Sequence, residues 1–165
     1  MMSKKNFLSI ALLMCLTILP VTAAAAANAG GVDNIMRAAI FPTGTYGESY
    51  YFVLDRDGTL KCAVGTRKSD DIEQPDFLKT IIASSERKLG DEDLQIITGL
   101  ANKLEASGHA KEKLFAEDCW DAALLYNGKV YEINIWHNDG PDEFLNLIKK
   151  IMELSPIAVD LHGWA

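Results

Sequence analysis

Apolar and polar residues alternate along two stretches of this chain, and each stretch is folded back at an Xaa-Gly dipeptide. In the first, Ser49 to Leu54 is aromatic and β-branched, Asp57-Gly58 follows, and Leu60, Cys62 and Val64 then alternate with Lys61, Ala63 and Gly65. Two strands around Asp-Gly predict a hairpin in which both turn residues reach positive φ. In that register Val53 faces Cys62 and Tyr51 faces Val64. The second runs from Trp120 to Trp136 about Asn127-Gly128, with Tyr131, Ile133 and Ile135 alternating with Glu132 and Asn134. Its period of two predicts one buried and one wetter face.

Two other stretches follow the helical period. Gly90-Asp91-Glu92-Asp93 opens the first, with acidic groups at the positive end of the helix dipole. Leu94, Ile97, Ala101 and Leu104 form its apolar stripe, and Ser107-Gly108 ends it. Asp139-Gly140-Pro141 starts the second, proline costing nothing in a first turn. Phe144, Leu147, Ile148, Ile151 and Leu154 are its stripe, and Ser155-Pro156 stops it.

The remaining segments carry weaker patterns. Gly30 to Glu48, with its Pro42-Thr43-Gly44 turn, reads as a leader ordered only on contact. Thr66 to Gln74 reads as a polar loop. Phe77 to Lys88 suits a helix by its Phe77, Ile81, Ile82 spacing and a strand by Thr80-Ile81-Ile82, and the strand is preferred. Ile157 to Leu161 reads as a short strand or an apolar tail. The predicted class is α+β: an antiparallel sheet of two hairpins, with one or two extra strands, and two helices packed on one face in a loose ββα-ββα order. The face they cover would hold Val53, Cys62, Tyr131 and Ile133.

Residues 1–29 do not fit that plan. Lys4 and Lys5 precede an apolar run from Phe7 to Leu19, Pro20 breaks it, and small residues from Val21 to Ala29 suit a signal peptidase. The expectation is a cleaved export signal, leaving 30–165 as a single small domain, periplasmic or extracellular, with no membrane attachment after cleavage. The whole chain of 165 residues carries a net charge of −7. Loss of Lys4 and Lys5 makes the remainder more acidic still. Such a surface lacks the basic face that displaces counterions from nucleic acid, and it is repelled by anionic lipid.

Export gives meaning to the cysteines. Cys15 leaves with the signal, so Cys62 and Cys119 remain. An oxidising compartment favours joining them, and closing so long a loop would stabilise the fold by about 4 kcal/mol. A Cys62–Cys119 disulfide is therefore expected. The absence of a Cys-x-x-Cys or a nearby histidine pair gives no reason to expect a metal, and no cofactor is implied.

One string bears on catalysis. Phe52-Val53-Leu54-Asp55-Arg56-Asp57-Gly58-Thr59-Leu60 resembles the first motif of the haloacid dehalogenase phosphatase family, an apolar strand followed by Asp-x-Asp-Gly-Thr. The resemblance implies Asp55 as nucleophile, Asp57 as general acid and Mg²⁺ on the phosphate, a sound chemistry for a carboxylate. It spans nine residues of the chain. The family's parallel βαβ sheet conflicts with the antiparallel return predicted after Leu60, and Ser84, Lys88, Asp91 and Asp93 fall too close together for its later motifs. Asp57-Gly58 is accordingly read first as a hairpin turn.

The three histidines, His109, His137 and His162, are scattered. The other candidates are aromatic: Trp136 and His137 after the second hairpin, and Trp164 near the end, residue types that carry energy at interfaces. The functional expectation is a non-catalytic, inhibitor-like or accessory module that binds a protein or a small ligand through Trp136, His137 and Trp164. A small Mg²⁺-dependent phosphohydrolase using Asp55 and Asp57 is the second reading, and a structural envelope protein the third.

Overall fold

In the computed structural model of the chain, residues 34–108, 119–135 and 142–161 are described. They form six strands and two helices: β1 Asn34–Pro42, β2 Glu48–Asp55, β3 Thr59–Arg67, β4 Leu78–Lys88, α1 Asp91–Ala106, β5 Trp120–Tyr126, β6 Lys129–Asn134 and α2 Asp142–Leu154. All strands belong to one antiparallel sheet in the order β4-β3-β2-β1-β5-β6. The protein is thus α+β. The preferred strand reading of Phe77 to Lys88 corresponds to β4, and Ile157–Leu161 is a tail without strand pairing.

The segment expected to be a leader is instead the strand that joins the sheet. β1 pairs with β2 on one side, Ala39 opposite Tyr51, and with β5 on the other, Ala39 opposite Ala123. Ala38, Ala39, Ile40 and Phe41 are all buried, since both faces of β1 are covered. A strand buried on both faces reads as an apolar run, not as an alternation.

Asn127-Gly128 makes the expected two-residue turn, with both residues at positive φ, 49° and 72°. The β2–β3 turn is one residue longer. The Gly58 N–H donates to the Asp55 carbonyl at 2.9 Å, and Gly58 takes φ 85° while Asp57 does not enter the positive region. This is the three-residue hairpin loop with its last residue left-handed. The extra residue shifts the register by one: Phe52, not Val53, lies opposite Cys62, and Tyr50, not Tyr51, lies opposite Val64. A one-residue slip moves side chains to the other face. Val53 and Tyr51 therefore leave the face to which they were assigned.

The larger core contains Phe52, Leu54, Cys62, Val64, Tyr131 and Ile133 from the sheet together with Ile97, Ala101 and Leu104 of α1 and Phe144, Leu147 and Ile151 of α2. The smaller contains Ala39, Phe41, Tyr51, Val53 and Ala63 with Ile72 and Phe77 of the β3–β4 loop. Phe77 stacks on Tyr51 at 5.3 Å between ring centroids and lies 6.0 Å from Phe41. The loop expected to be merely polar is thus a lid over the second face. At the far end, the Tyr50 hydroxyl donates to the Asp160 carbonyl at 3.1 Å and accepts from its N–H at 3.0 Å, which fastens the tail.

Candidate functional site

The residues singled out from the sequence do not assemble into one site among the described residues. Trp136, His137 and Trp164 lie outside the described residues, as do His109, His162, the Asp139-Gly140-Pro141 segment expected to start a helix and residues 1–29, expected to be an export signal. Asp55 forms an ion pair with Lys61 at 2.6 Å. The Asp57 carboxylate accepts from the Thr59 N–H at 2.9 Å and from the Thr59 hydroxyl at 3.0 Å, and Lys88 Nζ lies 3.1 Å away. Those contacts, the Thr59 N–H first, hold the Asp57 carboxyl down at about 2. Both aspartates border a hairpin loop of an antiparallel sheet, whereas the phosphatase resemblance implies a parallel one.

The expected disulfide requires correction. Cys62 sits mid-β3, opposite Phe52 and Ser85, and Cys119 immediately precedes β5. β2 and β1 intervene, which puts about 14 Å across the sheet between β3 and β5 at ordinary strand spacing. A bridge needs Cα atoms about 5.5–6 Å apart. Both residues are buried thiols, not a bridge. Burial pushes the Cys62 thiol up to about 11, against a lowering hydrogen bond from Ser155, so Cys62 is protonated and a poor nucleophile at neutral pH.

A different group of side chains converges at the end of the sheet beside the β1–β2 and β3–β4 loops. Arg67, the last residue of β3, is 4% exposed. Its Nε donates to the Thr45 carbonyl at 3.0 Å, and its Nη2 to the carbonyls of Pro42 at 3.0 Å and Thr45 at 2.5 Å. Nη1 donates to the Asp70 carboxylate. The guanidinium lies 4.3 Å from the Phe41 ring centroid and 5.0 Å from that of Tyr46, positions in which a cation is attracted to the ring faces. A buried charge is tolerable only when so fully satisfied. Arg67 thereby pins both loops to β3.

Outside this pin lies an open cleft of about 520 Å³ lined by Tyr46, Thr66, Arg67, Lys68 and Lys79. That size is within the range of small-ligand sites. The Thr66 and Thr80 hydroxyls meet at 2.6 Å across β3 and β4. Arg67 is balanced by Asp70 and Lys68 by Asp76, whereas Lys79 has no ion pair among the described residues. Tyr46 is 60% exposed, with one side of its ring towards Arg67. Sequence reasoning passed over this group because its members fall in three separately read segments, Tyr46 in a supposed leader, Thr66 to Lys68 in a polar loop and Lys79 in the strand after it. The available signal was apolar Ile72 within that loop and Phe77 just after it, which mark it as packed.

Compared with known proteins, the chain matches no family model, and no curated protein matches it.

Proposed function

We propose that the chain is an exported, non-catalytic binding module, inhibitor-like or accessory in kind, whose recognition site includes the Tyr46–Arg67–Lys79 cleft. The observation that carries this reading is Arg67, whose buried guanidinium fixes the loops of the cleft before any ligand arrives. A preformed site does not lose affinity to the ordering of its own loops. The side chains that line it are suited to holding a ligand through charge, hydroxyl and ring contacts. Both helices are read as one layer over the sheet face opposite the Phe77 lid, in the loose ββα order expected, and the shared core of α1 and α2 supports this.

The test uses isotope-labelled 30–165 and its backbone amide spectrum. The low-mass fraction of an envelope extract is expected to move the signals of residues 45–47, 66–68 and 79–80, and Tyr46→Ala is expected to abolish the change. Movement confined to other regions, or none, would remove the cleft from the reading. Asp55→Asn is expected to leave the response unaltered.

A further inference from the structure

The charge balance of the cleft specifies what it holds. Three cations line it. Asp70 neutralises Arg67 and Asp76 neutralises Lys68. Burial weakens the hold of Arg67 on its proton, and the Asp70 carboxylate offsets this in part; the two form an ion pair. Lys79 is left as the surplus charge, in a cleft that also holds Thr66 and whose aromatic member, Tyr46, is largely open to solvent. One surplus ammonium, one hydroxyl and an exposed ring complement a ligand of one acidic group on a flat apolar body. Within a protein of net charge −7, a local cationic spot also directs an anion to one place on an otherwise repelling surface.

We propose that the cleft binds a small organic anion, its carboxylate or phosphate held by Lys79 with the Thr66 hydroxyl and its flat portion laid on Tyr46. This rests on the binding-module reading given above, and it names the ligand class of the same site. The acid group sets specificity through its charge; the ring contact adds area.

Three probes of similar shape separate the terms: benzoate, phenyl phosphate and the neutral benzamide. Each is titrated into labelled 30–165 while the amide signals of Tyr46, Thr66, Lys68 and Lys79 are followed. Benzoate or phenyl phosphate is expected to shift them saturably, and whichever binds more tightly identifies the acid group. Benzamide is expected to bind about tenfold more weakly, the equivalent of one modest charge interaction. Lys79→Gln is expected to bring the anion down to the affinity of benzamide, and added salt to weaken the anion alone. Lys79 is exposed on an edge strand, so its replacement leaves the fold intact, which the unchanged spectrum elsewhere verifies. Equal affinity for benzoate and benzamide, or indifference to Lys79→Gln, overturns the anion assignment while leaving a cleft that binds flat ligands. Failure of all three probes overturns the assignment as well, and the extract experiment then decides separately whether the cleft binds anything.

Discussion

At the scale of single residues, the aspartates that look catalytic in the sequence have structural partners in the fold. Asp57 is held by Thr59 and Lys88 and its carboxyl lies at about 2, below its ordinary 3.8. A carboxyl depressed in the folded state contributes stability that is present above its unfolded value and is lost as pH falls through its folded one. Asp57→Asn is therefore expected to leave the urea midpoint less sensitive to acid between pH 3.8 and about 2. Chemical denaturation at a series of pH values would show it, and parallel acid limbs for both proteins would contradict it. The thiols give a second prediction. Unreduced protein, unfolded in denaturant, is expected to take up iodoacetamide at both Cys62 and Cys119. Native protein is expected to leave Cys62 unlabelled, because it is buried and protonated. Labelling of neither cysteine in unreduced, denatured protein would restore the bridge.

At the scale of elements, β3 and β4 are bound by a close approach. A Cβ on Gly65 would lie 1.8 Å from the Thr80 carbonyl oxygen. The register steps there from Val64 opposite Ala83 to Gly65 opposite Ile81, leaving Ile82 as the extra residue of a bulge. Gly65→Ala is expected to destabilise the domain by about 3 kcal/mol, as a forced backbone shift does. Gly99, inside α1, is the opposite case, since an added Cβ meets nothing within 4 Å. Gly99→Ala is expected to stabilise by about 0.5–1 kcal/mol through helix propensity. Urea midpoints moving in opposite directions would confirm the pair; a stabilising Gly65→Ala would mean the bulge is not as described. The bulge, with Lys79, Glu86, Arg87 and Lys88 along β4, also blunts an edge that would otherwise invite pairing with other chains.

At the scale of the molecule, what the sequence revealed was local. Asn127-Gly128, the acidic start of α1 and the stripe of α2 were legible because each depends on neighbours a few positions away. The β2–β3 register was missed by one because Asp57-Gly58 suits a two-residue turn as well as the end of a three-residue one, and a single positive φ at Gly58 distinguishes them. β1 was missed because a core covers each of its faces, Ala38 and Ile40 in one and Ala39 and Phe41 in the other, so it shows no alternation. The thiol pair failed for a related reason, since an even cysteine count says nothing about how many strands lie between. The cleft was invisible because Arg67 draws on Pro42, Thr45 and Asp70, a set that only the completed sheet brings together.

The place of β1 has a consequence for how the chain is made. Met36 lies opposite Tyr126, so one side of an early-synthesised strand waits for a partner produced much later. β2 can pair with β1, and β3 with β2, soon after they emerge, but the other edge of β1, through Ala38 and Ile40, stays unsatisfied until β5 arrives. Such long-range closure is slow relative to local pairing, and an open strand edge is exposed to foreign pairing in the meantime. The order of synthesis thus leaves one edge of β1 open until most of the chain has been made.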